Sequence, residues 1–300
     1  MTETRQEVIR DAHGRVPIAV VTWCTIAVLA MSACASGGRR AGVGGTPAVL
    51  SSSLSSSPTV EAQDRVLATA ILQAAIQPSA DRLVRVGYRY YQLGIRDKAM
   101  EYFSRALDKA PKHAAAFDGR ARIWRDWGLM ALAVSDAHRA TYFAPKSAAA
   151  HNTLGTVLQG ISLYVEAAEA YARAETLDTT ALYAINNLCY LAFLEGHIET
   201  AIRRCDEAVR MNEAFAPARN NLALAYSAQG EFQQAWKHFV RASGEAVAHY
   251  NVGIIHLAEK QYDTAVHEFQ AAYHIDPSFD AAHQRARQAR VLAHDQLGGR

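Results

Sequence analysis

Residues 80–113 read ADRLVRVGYRYYQLGIRDKAMEYFSRALDKAPKH, and they set the pattern for most of the chain. Leu83, Val86, Gly87 and Tyr90 recur at three- and four-residue steps and mark one face of a helix. Gly94 breaks the run. A second stripe, Ala99, Phe103 and Ala106, marks another helix, and Pro111 closes it. Two helices can lie close together only where small side chains meet, so the alanines predict a tight hairpin. Those alanines return along the sequence. Ala99, Ala133, Ala167, Ala201, Ala235 and Ala265 are spaced by 34, 34, 34, 34 and 30 residues. Seven residues after each stands another: Ala106, Ala140, Ala174, Ala208, Ala242 and Ala272. Between them lies a bulky residue in four cases (Phe103, Tyr171, Phe239, Phe269) and a smaller one in two (Ala137, Cys205). His151, Leu154, Gly155 and Leu158 repeat the first-helix stripe, Gly128, Gly196 and Gly230 the turn, and Pro145 and Pro277 the close. A fixed period of this length is the signature of a repeat architecture.

This pattern of large residue, glycine, aromatic, then alanine, large residue, alanine and proline resembles the tetratricopeptide repeat. The first unit (Leu83, Val86, Gly87, Tyr90, Ala99, Phe103, Ala106, Pro111) and the last (Val252, Gly253, Ala265, Phe269, Ala272, Pro277) carry the resemblance most fully. It implies an all-α protein, a right-handed superhelical α-solenoid of about six units: 80–113, 114–147, 148–181, 182–215, 216–245 and 246–279. A capping helix is expected over 60–79, and a second over 280–300, whose inner side is marked by Phe279, Ala282, Ala286 and Ala289. Thr179 and Glu213 replace the closing proline in two units, and four residues are missing after Ala242, which predicts one tightened turn between units.

The 31 basic and 29 acidic residues give a net charge of +2, which disfavours a nucleic-acid surface. Residues 1–34 read as a leader: Arg5, Arg10 and Arg15, an apolar run from Val16 to Ala30, then Met31-Ser32-Ala33-Cys34. Its end resembles a bacterial lipobox, with Cys34 as the lipidated residue, although Met31 stands at the usual leucine and Glu3, Glu7 and Asp11 dilute the charge. An uncleaved span and simple secretion remain open, because about 18 apolar residues just cross a bilayer. Residues 35–59, rich in Ser and Gly, read as a flexible tether with a reach of roughly 25–30 Å. Ala35 and Ser36 after the cysteine resemble lipoproteins sent to an outer membrane, facing the periplasm.

Chemistry-bearing residues form no catalytic, metal or cofactor motif. His267-Glu268 lacks the second histidine of a zinc helix, since Ala271 stands in its place, and His274 is two turns from His267. His249 and His256 fall on a packing stripe. Cys189 and Cys205 both point inward; a disulfide is permitted in an exported protein, but two buried thiols acting as small hydrophobes are the favoured reading.

The informative face is the other side of the first helices, which in the resembling family lines a concave, peptide-binding surface. It carries Tyr88 and Tyr91, then Arg122 and Arg125, Asn152, and Asn186, Asn187, Tyr190 and Phe193. Asn220, Asn221, Tyr250 and Asn251 continue it. Asparagine is a poor helix former, so a row of it calls for a reason. Its amide offers both donor and acceptor to a peptide backbone, or to a neighbouring repeat. The expected function is a scaffold for a polypeptide client, with no small-molecule substrate. It resembles bacterial lipoproteins of pilus or secretion assembly, of the pilotin or tight-adherence types. The alternatives are an envelope adaptor for cell-wall enzymes and a non-catalytic subunit of an enzyme complex.

Overall fold

The computed structural model describes residues 64–298, and all regular structure among them is helical. The leader, Cys34 and the tether lie outside the described residues. The helices are α1 (Arg65–Ile76), α2 (Ala80–Gln92), α3 (Arg96–Lys109), α4 (Ala114–Asp126), α5 (Met130–Phe143), α6 (Ala148–Gly160) and α7 (Tyr164–Leu177). They continue with α8 (Leu182–Leu194), α9 (Ile198–Met211), α10 (Ala216–Gln229), α11 (Phe232–Ser243), α12 (Glu245–Ala258), α13 (Tyr262–Ile275) and α14 (Asp280–Gly298). The described residues divide into two compact bodies, 64–188 and 189–298, with α8 running from one into the other.

In the first body α2–α3, α4–α5 and α6–α7 pack as antiparallel hairpins, and α1 covers α2. Side-chain caps start several helices: the Ser79 and Ser147 hydroxyls accept from the N–H of Arg82 (3.3 Å) and Ala150 (3.2 Å). In the second body α10–α11 and α12–α13 form hairpins, and α14 packs on α13. Ala282, Ala286 and Ala289 of α14 are buried.

The alanine rows occupy the helix contacts. Ala99, Ala133, Ala167, Ala201 and Ala265 are all 0% exposed and Ala235 2%, while in the second row only Ala242 is half-buried. A second rule runs beneath them, joining a first-helix position to the residue 16 further on. A Cβ placed on Gly87 would come within 2.7 Å of the Phe103 ring, one on Gly155 within 2.6 Å of Tyr171, and one on Gly253 within 2.7 Å of Phe269. In these three units one edge of the ring therefore lies against bare glycine backbone, while in the fifth unit Ala223 stands 16 residues before Phe239. Cys189 and Cys205 occupy the same pair of positions in the fourth unit. They form a disulfide, with Cα atoms 5.2 Å apart. This corrects the expectation of two thiols: the closest approach of the two helices is already at disulfide distance.

Connections between hairpins take four residues in the first body, but α11 meets α12 through Gly244 alone, at φ +83°. The four missing residues are thus absorbed by shortening α11 and by one left-handed glycine.

Candidate functional site

In the first body, α2 packs on α4 and α4 on α6, so consecutive first helices lie side by side. The residues singled out on their shared face bind one another. Tyr88 on α2 donates to Asp118 on α4 at 2.5 Å, and Arg122 donates to the same carboxylate oxygen at 2.9 Å. One turn on, Tyr91 donates to Asp126 at 3.0 Å, and Arg96 donates to it at 3.0 Å. Arg125 reaches both ways: to the Thr156 hydroxyl on α6 (3.0 Å) and to the Tyr91 oxygen on α2 (3.3 Å). Further along, Asn187 Nδ2 donates to Asn152 Oδ1 at 2.8 Å, joining α8 to α6.

Burial pushes the Tyr88 phenol far above its usual range, and the Asp118 charge adds to this. Burial likewise raises Tyr91, against the pull of Arg125. Burial opposes the Arg122 cation, yet Asp118 outweighs it and holds the guanidinium above its ordinary value. Burial also opposes ionisation of Asp126, but Arg125 prevails and the carboxyl sits below the usual range. Each arginine is thus paired with a carboxylate, Arg122 with Asp118 and Arg125 with Asp126, both at 2.9 Å, and the phenols stay protonated. Such a face is poorly suited to capturing an anion. It offers aromatic edges and hydrogen-bonding groups held in fixed positions. In the Asn152–Asn187 pair, the Asn152 amide N–H groups and Asn187 Oδ1 are not spent on the mutual bond.

No protein-family profile matches the chain. Among curated proteins, it is 27% identical over 154 residues to the probable UDP-N-acetylglucosamine–peptide N-acetylglucosaminyltransferase SPINDLY of Hordeum vulgare, covering 49% of this chain and 16% of that one. The chain spans only 16% and 38% of the curated relatives it matches. Among solved structures, a tetratricopeptide repeat protein from Parabacteroides merdae superposes with a TM-score of 0.56 at 15% identity, over 75% of this chain and 91% of that one. PilW, described as a widely conserved type IV pilus biogenesis factor, superposes with a TM-score of 0.58 at 19% identity, over 68% and 97%. The fold is that of the tetratricopeptide-repeat proteins.

Within that tetratricopeptide fold, the second body departs from the expected surface. Tyr190 and Phe193 were assigned to the face, but they stack on each other at 6.4 Å and are 5% and 3% exposed. Tyr250 is buried between Phe269 (ring centroids 5.5 Å apart) and Phe279 (5.0 Å), and Asn251 beside it is 4% exposed. Large apolar rings gain more from burial than from facing water, so these residues belong to the core. Asn220 and Asn221 on α10, and Asn186 on α8, are half-buried. Tyr183 was not foreseen: it sits on α8, is 37% exposed, and its phenol is raised by burial and then by Asp178. Among the described residues, no helix is long and apolar enough to cross a membrane, and no three His, Cys, Asp or Glu side chains gather to hold a metal.

Proposed function

We propose that this protein is an exported, lipid-anchored, non-catalytic scaffold that binds a polypeptide client along the first-helix face of residues 64–188. In this reading it serves assembly of a pilus or secretion complex. The observation that carries the binding reading is the network itself: Tyr88, Tyr91, Arg122, Arg125, Asn152 and Asn187 are half-buried and held in place by bonds within and between neighbouring first helices. Surfaces ordered before binding lose less entropy on association, and tyrosine and arginine are the usual anchors. The structural likeness to PilW, over 97% of that chain, supports the assembly role. The Cys189–Cys205 disulfide supports an oxidising compartment outside the cytoplasm. Cys34 then carries the anchor, followed by the tether of residues 35–59.

A photo-crosslinking side chain at position 91 is expected to capture a pilus or secretion component in cells. Arg125→Ala removes the group that holds Tyr91 and Thr156 in place, and is expected to weaken that client about tenfold. Crosslinks obtained only from positions 142 and 165, exposed on second helices, would overturn the face assignment. Cys34→Ser is expected to move the folded protein out of the membrane fraction; retention there, unprocessed, would replace the lipid anchor by an uncleaved span.

A further inference from the structure

A cavity of about 360 Å³ lies in the second body, lined by residues of α10, α11, α12 and α13. Its walls include the aromatic rings of Phe232 and Trp236 from α11, and its polar groups are Ser227, His249, His256 and Glu268. The hydrogens of these polar groups are already committed. The Ser227 hydroxyl donates to the Ala223 carbonyl at 2.9 Å. His249 Nδ1 lies 2.7 Å from Glu268 Oε2, and His256 Nδ1 lies 2.7 Å from Gln261 Oε1. The Glu268 carboxylate and the Gln261 amide oxygen both accept, so the neutral form of each ring has its proton on Nδ1 and a lone pair on Nε2. Glu268 Oε1 has His267 at 3.8 Å, and that histidine is 80% exposed. Apart from the indole N–H of Trp236, the polar lining therefore presents acceptors and one carboxylate.

A site rich in acceptors, with a negative charge and aromatic walls, is complementary to a group that carries several donors, a positive charge and an apolar stem. We propose that this cavity binds a lysine or arginine side chain of a polypeptide partner. The methylene stem lies along the Phe232 and Trp236 rings, and the cationic head donates to Glu268 and to the histidine Nε2 atoms. A neutral apolar side chain would leave the acceptors without partners, and an anion would meet Glu268. The site is separate from the first-helix face of residues 64–188 and stands whether or not that face binds a client.

The test titrates the full chain with the pentapeptide acetyl-Gly-Gly-Lys-Gly-Gly-amide and with its norleucine counterpart, which keeps the stem and drops the ammonium. The lysine peptide is expected to shift the Trp236 indole resonance, assigned through Trp236→Phe, and to bind roughly tenfold more tightly than the norleucine peptide. Glu268→Gln, which retains an acceptor for His249, is expected to abolish that preference. Phe232→Ala removes a side chain that is already 55% exposed, so it leaves the fold intact and should weaken the lysine peptide several-fold. Equal binding of the two peptides, or no binding of either, would overturn the proposal. So would n-butylamine binding as tightly as the lysine peptide, since the site would then take a free amine. Asn187→Ala should leave the titration unchanged, which separates failure of this site from failure of the first-helix face.

Discussion

The hairpin of α6 and α7 and the hairpin of α8 and α9 fill one structural slot in opposite ways. In the former, the Tyr171 ring rests on Gly155, where a Cβ would approach it to 2.6 Å, and the Tyr171 hydroxyl donates to Gln159 at 2.9 Å. In the latter, Cys189 and Cys205 occupy the equivalent positions and are joined covalently. Volume and burial hold the first hairpin; a bond between two small residues holds the second. The hairpin of α4 and α5 adopts a third solution. Ala121 and Ala137 stand in the slot, and a buried polar knot lies beside them, in which Asp136 accepts from Arg120 (2.8 and 3.0 Å) and from the Trp124 indole (3.2 Å). The repeat thus requires that the slot be closed, and leaves open the chemistry that closes it.

The disulfide gives the largest expected effect. Closing a loop with a sequence separation of 16 residues stabilises by about 3 kcal/mol on the chain-entropy account. Chemical denaturation with a dithiol reductant should therefore show the chain weakened by that order, and Cys189→Ala with Cys205→Ala should show the same loss without reductant. Installing the neighbouring solution, Cys189→Gly with Cys205→Tyr, should recover part of the loss and make the midpoint indifferent to reductant. An unchanged midpoint for wild-type chain whose thiols are verified as reduced would break the equivalence of the two hairpins.

The ring-on-glycine solution can be attacked from its own side. Gly155→Ala drives a methyl into the Tyr171 ring, and overpacking of this kind destabilises by about 1–3 kcal/mol. Gly155→Ala with Tyr171→Ala reproduces the Ala121–Ala137 pair. It should lose less than the sum of the two single changes, by at least about 0.5 kcal/mol, because the residues share one contact. Strict additivity in urea unfolding would mean that the glycine and the ring are not partners.

These contrasts also show what could be read in advance. The alanine rows were legible because backbone contact tolerates almost nothing else, so a small residue returns at every period. The disulfide was not, since thiols 16 residues apart suit a packed core and a bond equally well. The signal that would have found it was present: Gly87–Phe103, Gly155–Tyr171 and Gly253–Phe269 share that separation. The Asn152–Asn187 bond was missed as a specific pair because it spans 35 residues, a diagonal across the 34-residue rows. Burial of Tyr190, Phe193 and Tyr250 could not be seen from periodicity, which places a residue on a helix face and leaves open what covers that face. Asp118 and Asp136 were overlooked as network centres, because a carboxylate within a helix usually faces water until arginines on neighbouring turns or helices claim it.

The smallest expected effect concerns the turns inside the hairpins. Gly94, Gly128, Gly196 and Gly230 each take a left-handed conformation there, with φ between 76° and 86°. The same place is held by Ser162 at φ 63° and by Lys260 at φ 61°. A residue with a Cβ is strained in that region by about 1–2 kcal/mol, and glycine is not. Glycine also has more freedom to lose on folding, which offsets roughly half of the gain. Ser162→Gly and Lys260→Gly should therefore each stabilise by up to about 1 kcal/mol. Gly128→Ala should act in the opposite direction, through the backbone alone, because nothing lies within 4 Å of a Cβ at that position. Thermal unfolding of the three variants decides the matter. Two rises and one fall would show that the hairpin turns obey one backbone rule in every unit. A fall for Ser162→Gly would mean that the serine side chain contributes a contact that outweighs the strain of its backbone.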